Sequence, residues 1–435
     1  MPRSNLNLIW VAGVISLLCY SQVNRSAYGR YFVEALETIH YLGLEEKGEQ
    51  ELFDAAMYAM AKQHDKYSTF VSRELKNPYE QQLDQQFVGI GTKVELDPDG
   101  QGILIANPVM GPTHPAYDAG IRTGDIIVAV EGRSIKDLPQ KEFRKTVESI
   151  KGPAGTYVQL TVKPEGRDEQ KIVRVKRSKI RVDSLAGDIR GPDRKWRFLL
   201  AADPRIVYLR LTQFGAQTVA EMQATLEELK EKDQLNALIL DLRDNPGGYL
   251  DASWQVCNLF ISSGVIVETR YRDNSIKRRY EALAKNTFSD FPMVVLVNGE
   301  SASASEIVAA CFQDHGRAVV CGVRTYGKGS VQDMIPMEGQ RSILKLTTAS
   351  FWRPSDKNIH RKQGAADEDE WGVKPDDGFG INIEKEAEKQ RRKLRDEREA
   401  FRENRNDVVE GCLPAIDLQL KKAVEYLRAK LVDAQ

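Results

Sequence analysis

The sequence is poor in the residues that build metal sites and disulfide frameworks. Only five cysteines and five histidines occur among its 435 residues, and neither set has the spacing of metal ligands or of paired cysteines. Cys311 and Cys321 lie close enough in sequence to pair in an oxidising compartment, but two buried free thiols are the favoured prediction. We therefore expect no metal, no cofactor and a fold held together by packing.

An excess of either charge is also missing. Lysine and arginine number 62 and aspartate and glutamate 63, so the net charge is −1 and nothing favours nucleic acid as a partner. Hydrophobic residues make up 41% of the chain, which fits a folded protein, and the length predicts two or three domains.

Long apolar runs are absent except near the start. The stretch "LIWVAGVISLLCY" follows "MPR" and suits a signal-peptide core better than a full membrane span. No clear small-x-small cleavage site follows, so residues 1–26 are predicted as a signal peptide or a membrane anchor. Leu18 is too bulky for the usual lipidation pattern, which leaves Cys19 as an apolar filler. We expect export to a bacterial-type periplasm or extracytoplasmic face, with membrane association through this segment left open.

The hydrophobic periodicity changes along the chain. Residues 27–85 contain two amphipathic helices, and residues 86–178 form a small module of short strands with two helices. Strands and helices then alternate through residues 179–383, which predicts an α/β core. In residues 384–435, a helix with charges of both signs is most simply solvated, and an amphipathic helix closes the chain.

The first candidate for chemistry is "LDLRDNPGG", where a buried strand ends in a glycine-rich turn before a helix. Pro246 has no N–H, so Gly247 and Gly248 are the backbone donors that an oxyanion hole would use. On spacing alone, an ordinary strand-to-helix turn explains these residues better.

The second candidate is "SASASE", which also lies between a buried strand and a helix. A serine placed there gains exposed backbone N–H groups and the positive end of the helix dipole. However, Ser303 and Glu306 also form a capping-box pattern, in which the hydroxyl bonds the helix and the carboxylate reaches back. Capping is much the commoner use of that pattern.

Lys328 lies between two glycines in "TYGKGS" and is either a solvated turn lysine or the base for a serine. As a base it would need a pKa near about 7 to 8 instead of about 10.4, which burial can bring about. A serine–lysine pair needs no histidine. His315 lies at the far end of the helix that follows Ser303, so the two are not expected to meet.

These segments, together with "FVGIG" and "HPAYDAGIRTGDIIVAVEG", resemble the carboxyl-terminal processing proteases, also called tail-specific proteases. The likeness covers most of residues 30–360, and "DLQLKKAVEYL" is similar to the family's closing helix. It implies a multidomain α/β protein whose serine-protease core resembles the crotonase/Clp-protease-like fold, with an inserted PDZ domain at residues 86–178 and helical segments at both termini.

The resemblance also implies roles for individual residues. Ser303 matches the nucleophile, Lys328 the general base and Gln332 the glutamine that orients the lysine. Ala304 and one of the two glycines would supply the oxyanion-hole amides, with the choice between Gly247 and Gly248 left open. Asp314 matches an aspartate implicated in some family members. Glu306 is a second candidate for a supporting residue, named from the capping-box pattern and not from the resemblance.

The "FVGIG" segment would be the PDZ loop that captures a substrate's carboxylate while the peptide adds a strand to the module's edge. An ordinary glycine-rich turn between strands would also explain this sequence. The partners expected are proteins or peptides with unstructured C-terminal tails, with an adaptor or regulator and a homodimer through the helical termini left open. The residues predicted to bind the tail are Phe87, Val88, Gly89 and Ile90.

Two segments depart from the family pattern, an acidic stretch at 364–378 and the charged helix at 384–407, and their roles stay open. The leading hypothesis is an exported serine endopeptidase with a Ser303–Lys328 dyad. One alternative is a PDZ-mediated binding protein with an inactive or tightly gated core. Another is an acyl-transfer or hydratase-type enzyme, which the dyad spacing and the PDZ insertion disfavour. The natural substrate, its tail preference and the oligomeric state are not predicted.

Overall fold

The computed structural model describes Trp10 and residues 27–84, 86–108, 114–191, 193, 195–283, 287–399 and 417–433. Apart from Trp10, the predicted signal or anchor segment lies outside these residues. No helix within the described ranges is long and apolar enough to cross a membrane. The chain divides into two compact units, Met1–Lys76 with Gln332–Thr347, and Asn77–Val331 with Thr348–Gln435.

The secondary structure alternates as the sequence predicts. In chain order, the helices are α1 (Ala27–Leu42), α2 (Glu49–His64), α3 (Arg73–Leu83), α4 (Pro115–Asp118), α5 (Gln140–Ile150), α6 (Thr218–Glu231), α7 (Leu250–Asn258), α8 (Ala304–Asp314), α9 (Lys385–Glu399) and α10 (Leu418–Asp433).

The strands are β1 (Thr69–Val71), β2 (Gln86–Gly89), β3 (Thr92–Leu96), β4 (Ile103–Pro108), β5 (Ile126–Val130), β6 (Arg133–Ser134), β7 (Tyr157–Lys163), β8 (Lys171–Lys176), β9 (Ser178–Arg181), β10 (Leu185–Ala186), β11 (Ile189–Arg190), β12 (Trp196–Arg197), β13 (Leu199–Leu200), β14 (Asp203–Leu211), β15 (Leu238–Asp241), β16 (Val265–Arg270), β17 (Ile276–Glu281), β18 (Met293–Val297), β19 (Val319–Gly322), β20 (Ser330–Met337) and β21 (Ser342–Trp352).

The first unit contains the two predicted N-terminal helices. Helix α2 is followed by Asp65, whose carboxylate accepts hydrogen bonds from the backbone N–H groups of Tyr67 at 2.6 Å and Ser68 at 2.8 Å. These bonds turn the chain into β1, which pairs antiparallel with residues 343–345 of β21. Helix α2 buries Met57 and Ala61, whereas α1 buries no residue.

The strand-rich module in the second unit is a sheet in the order β3-β4-β5-β7-β8, with β6 paired to β5. Its core is made of the inward-facing aliphatic residues of those strands together with Ile150 of α5. The module begins and ends on a two-stranded stem, because β2 pairs antiparallel with β9 and Gly89 lies opposite Ser178. Strand β3 is at the edge of the sheet.

The α/β core of the second unit is built on four parallel strands in the order β14-β15-β18-β19. Helices α6, α7 and α8 lie between successive members of this set, as parallel pairing requires. Alternate residues of β15 face opposite sides, with Leu238 and Leu240 in one apolar cluster and Ile239 in another. The second cluster is completed by α10, which confirms the predicted closing helix as a packed element.

The prediction that the charged helix at 384–407 is solvated is wrong for α9. Arg391 has only 2% of its surface exposed, and its guanidinium pairs with Glu388 and Asp244. Buried charges are tolerated when they are paired and hydrogen-bonded, so charge alone did not decide exposure. Residues 400–407 lie outside the part of the chain that the structure describes.

The cysteine prediction is confirmed where it can be followed. Cys257, Cys311 and Cys321 are all free and buried. Cys19 and Cys412 lie outside the described residues.

Candidate active site

Sheet topology brings the two predicted motifs and the lysine loop to one place. Strands β15, β18 and β19 are parallel neighbours, so the segments that follow their carboxyl ends meet at the same edge. These segments are the "NPGG" turn after β15, the "NGESAS" turn after β18 and the loop with Lys328 after β19.

Ser303 has an unusual backbone conformation at the start of α8. Its φ is +58° and its ψ is −114°, a region that residues with a Cβ rarely adopt and that costs of order 1–3 kcal/mol. The serine is also nearly buried, with 7% of its surface exposed. A strained serine on a sharp strand-to-helix turn is the geometry of nucleophile turns in α/β hydrolases.

Gly247 packs directly against that serine. Its φ is +100°, and a Cβ added there would lie 2.8 Å from the Cβ of Ser303 and 2.7 Å from the carbonyl oxygen of Ala302. Only glycine fits this position, because any side chain would push the two turns apart.

One buried carboxylate, that of Glu306, joins the serine turn to the lysine loop. Its Oε2 accepts the backbone N–H groups of Ser303 at 2.9 Å and Lys328 at 2.8 Å. Its Oε1 accepts the backbone N–H of Gly327 and the hydroxyl of Thr325, both at 2.6 Å. The carboxylate half of the predicted capping box is therefore present, but the same group also holds the residue proposed as the base.

The electrostatics of Glu306 reflect this position. Burial raises the pKa of its carboxyl group, and the four hydrogen bonds that it accepts offset part of that rise. Thr325 extends the network, because its hydroxyl oxygen also accepts the N–H of Val373 at 2.8 Å. Thr325 was missed in the sequence, where nothing about its position relates it to Glu306.

The hydroxyl groups of the two serines on either side of Ser303 are hydrogen-bonded to backbone carbonyls. Ser301 donates its hydroxyl to the carbonyl of Leu242 at 2.8 Å, and Ser305 donates to the carbonyl of Asn245 at 2.9 Å. Both hydroxyls fasten the serine turn to the "NPGG" turn. The three alternate serines are therefore not equivalent, and the outer two have structural roles.

The amide groups around Ser303 differ in what they already bind. The N–H of Gly247 donates to the side-chain oxygen of Asn245 at 2.9 Å. The N–H groups of Ala304 and Gly248 have no hydrogen-bond partner within the described ranges. The first N–H groups of a helix lack an intrahelical acceptor, which accounts for Ala304.

The remaining predicted residues lie elsewhere. Asp314, at the far end of α8, receives two hydrogen bonds from the guanidinium of Arg353, at 2.5 and 2.8 Å. His315 bonds the carbonyl of Val265 at 2.8 Å, in agreement with the expectation that it does not meet Ser303. Gln332 belongs to the first unit, where its Nε2 donates to the hydroxyl of Thr347 at 3.2 Å.

The four residues predicted to bind a tail lie at the entrance to the strand-rich module. Phe87, Val88 and Gly89 belong to β2 and pair with β9. Ile90 is buried, and its carbonyl accepts the N–H of Ala116 at 2.9 Å. Their role in tail binding stays a prediction.

A strained serine turn on a parallel α/β sheet, beside free backbone amides, is the arrangement found in hydrolases of the acyl-transfer type. Comparison with known proteins narrows this class. The model of peptidase family S41 matches residues 205–377, and the PDZ domain model matches residues 80–163. The chain belongs to the carboxy-terminal-processing proteases of peptidase family S41, and it is a serine-type peptidase.

Relatives support this along most of the chain. A carboxy-terminal-processing protease of Bartonella bacilliformis is 31% identical over 392 residues, which cover 89% of this chain and 85% of that protein. A protein of Staphylococcus aureus named "Probable CtpA-like serine protease" is 29% identical over 384 residues, covering 85% and 70%. A solved structure from Bacteroides fragilis titled "Putative S41 protease" is 15% identical and superposes with a TM-score of 0.51 over 91% of this chain and 97% of that one, which shows a shared fold.

Proposed function

We propose that the protein hydrolyses peptide bonds with Ser303 as the nucleophile and Lys328 as the general base. The observation that carries the proposal is the carboxylate of Glu306, which accepts the backbone N–H groups of both residues. A carboxylate that fixes both backbones keeps the serine turn and the lysine loop in register. Such fixed geometry is what a nucleophile and its base require.

The reaction runs in two stages. Neutral Lys328 takes the hydroxyl proton of Ser303 as the serine oxygen attacks the scissile carbonyl, and the lysine then protonates the departing amine as the C–N bond breaks. In the second stage, Lys328 takes a proton from water, whose oxygen attacks the acyl-enzyme. The bond to the serine oxygen breaks, Ser303 regains its proton and the new carboxyl end is released.

The oxyanion hole consists of the N–H groups of Ala304 and Gly248. Gly247 is the weaker candidate of the two glycines, because its N–H already donates to Asn245. The N–H of Phe214 donates to the carbonyl of Gly247, and the carbonyl of Phe214 accepts the N–H of Tyr249. Neither bond uses the N–H of Gly248. In a parallel bridge that amide points to the side away from Phe214.

Substrates are proteins or peptides with unstructured C-terminal tails, which the PDZ domain captures. Strand β3 is an edge strand, and a tail adds to such an edge by main-chain hydrogen bonds. The segment from Phe87 to Ile90 binds the terminal carboxylate. Export follows from the apolar run at residues 8–20 and gives the enzyme access to extracytoplasmic substrates.

The test uses an unfolded protein with an apolar C-terminal tail, incubated with wild type, Ser303→Ala, Lys328→Ala and a control, Lys362→Ala. Lys362 is an exposed lysine whose side chain has no hydrogen bond or ion pair in the described part of the chain. We expect cleavage by wild type and the control only, with thermal midpoints showing that all four proteins are folded. Cleavage by Ser303→Ala at the wild-type rate would reject the nucleophile, and no cleavage by wild type, even with the PDZ domain removed, would reject the function.

A further inference from the structure

Helix α9 docks on the turn that carries Gly247 and Gly248. Asp244, one residue before Asn245, receives three guanidinium groups from this helix. Arg391 lies 2.8 Å from its carboxylate, Arg392 2.7 Å and Arg395 2.6 Å. Three arginines from one helix therefore converge on one aspartate beside the active site.

The same helix also reaches the nucleophile turn. Glu388 accepts the side-chain N–H of Asn298 at 3.3 Å, and it pairs with Arg391 at 2.7 Å. Asn298 in turn accepts the backbone N–H groups of Asp244 at 3.0 Å and Glu300 at 3.1 Å. The cluster links α9 to the turn after β15 and to the turn that leads to Ser303.

Charge holds this helix in place more than apolar packing does. Ala387 and Leu394 are its only apolar residues. Its C-terminal end is fixed by two further pairs, Arg398 with Asp188 at 2.6 Å and Glu399 with Arg210. A surface helix that packs on a core normally presents an apolar stripe, so a helix fixed by ion pairs calls for another explanation.

The backbone at Asp244 has an uncommon conformation. Its φ is +62°, in the left-handed region, which few residues other than glycine adopt and which aspartate and asparagine adopt more readily than most. The next residue, Asn245, accepts the N–H of Gly247 with its side-chain oxygen, and Gly248 comes three residues after Asn245. A shift of this turn would move the amides that we assign to the oxyanion hole.

We propose that α9 is an arginine clamp that positions the oxyanion-hole turn through Asp244. Asp244, Arg391, Arg392 and Arg395 are positioning residues, since they act through the backbone of residues 245–248 and not on the substrate. The inference rests on the proposed Ser303 chemistry. It gives a role to a charged helix that no motif in the sequence explains.

The test compares Asp244→Asn with Lys393→Ala. Asparagine keeps the size of the side chain and tolerates the left-handed backbone, so the change removes mainly the charge that the arginines bind. Lys393 is an exposed cation on the same helix, and its side chain has no hydrogen bond or ion pair among the residues described. Steady-state kinetics on a tail-bearing peptide give kcat and KM, and inhibition by a peptide aldehyde reports on the oxyanion hole, because its adduct with Ser303 resembles the tetrahedral intermediate.

We expect Asp244→Asn to lower kcat by about tenfold, less than the roughly 100-fold loss from deleting an oxyanion-hole donor. KM should change little, and the aldehyde should bind about tenfold more weakly, while Lys393→Ala matches wild type. The side chain of Arg392 is 42% exposed, so we expect Arg392→Gln to give a smaller change in the same direction. This variant replaces Asp244→Asn in the test if Asp244→Asn does not fold.

Two outcomes would overturn the clamp. The first is an Asp244→Asn variant with the kcat and aldehyde affinity of wild type. The second is an Asp244→Asn variant with a lower thermal midpoint and unchanged kinetics, because the helix would then contribute to stability only. Failure of the clamp is separable from failure of the proposed function. In the first case Ser303→Ala is still inactive beside an active wild type, and in the second wild type has no activity to lose.

Discussion

At the scale of single residues, the site depends on a carboxylate whose two oxygens are each used twice. Glu306 is fully buried and receives two backbone N–H groups on Oε2, and one backbone N–H and one hydroxyl on Oε1. An aspartate in its place would be too short to reach both turns, and an amide would present N–H groups to donors. The residue therefore tolerates no simple replacement.

Glu306→Gln tests this directly. Whichever way the amide is turned, its NH₂ group faces at least one backbone N–H, which loses its acceptor. Leaving a buried donor unsatisfied costs about 1–3 kcal/mol, so we expect the free energy of unfolding to fall by that amount and kcat to fall with it. Denaturant unfolding and kinetics on a short peptide measure both. Glu300→Gln, which changes an exposed glutamate in the preceding turn, should leave both values unchanged.

At the residue scale, the sequence predicted contacts between residues that are close together in the chain. The pattern around Ser303 and Glu306 predicted a cap at a strand-to-helix turn, and the carboxylate half of that cap is present. It could not reveal that Glu306 also binds the lysine loop, because Lys328 is 22 residues further along the chain. Thr325 and Asp244 were missed for the same reason, since their partners are brought to them only by the fold.

At the scale of elements, a buried ion network joins β15 to the closing helix. The guanidinium of Arg243, 1% exposed, pairs with Asp241 at 2.6 Å and with Asp417 at 2.8 Å. Tyr208 donates its hydroxyl to Asp241 at 2.7 Å. Burial acts to raise the pKa of Asp241, but the charge and hydrogen bonds of Arg243 outweigh it and lower the pKa to about 2.

This network predicts a loss of stability in acid. Because the folded-state pKa of Asp241 lies below its unfolded value of about 3.9, ionisation of Asp241 favours the folded state above about pH 4. That contribution, of order 2 kcal/mol, is lost as the pH falls from about 4 to 2. Urea unfolding of the Asp241→Asn variant should show a shallower loss of stability in this range than wild type.

The matched control for the acid experiment is Asp377→Asn, which removes an exposed carboxylate of the same unit. Its pH dependence should follow that of wild type. If Asp241→Asn also follows wild type between about pH 4 and 2, the buried pair does not contribute in the way that its contacts indicate.

Elements were predicted well from periodicity and poorly from charge. Alternating apolar runs gave the strands and helices of the α/β core, because burial on both faces of a parallel sheet leaves a strong pattern. Helix α9 has the period of a solvated helix and is nevertheless docked, because its arginines find acidic partners on the core. Periodicity detects an apolar face and cannot detect a matching set of charges on another element.

At the scale of the whole molecule, the PDZ domain is an insertion that can be removed on structural grounds. Strands β2 and β9 form a stem in which Gly89 lies opposite Ser178. The chain therefore leaves the core and returns to it at neighbouring points. Replacing residues 90–177 by an Asn-Gly turn would close the stem as a two-residue hairpin.

The variant in which an Asn-Gly turn replaces residues 90–177 separates tail capture from catalysis. If the PDZ domain binds the terminal carboxylate, amidating the C-terminus of a peptide substrate should lower kcat/KM of wild type about tenfold or more, because hydrogen bonds to a charged group contribute about 1.5–3 kcal/mol. The excised variant should cleave the free and amidated peptides equally, since both then reach Ser303 without capture. A short peptide without an apolar tail is the control for intact catalysis.

Equal cleavage of the free and amidated peptides by wild type would reject tail capture and leave the proposed serine chemistry unaffected. A preference for the free carboxylate that remains after residues 90–177 are removed would place the carboxylate site outside the PDZ domain.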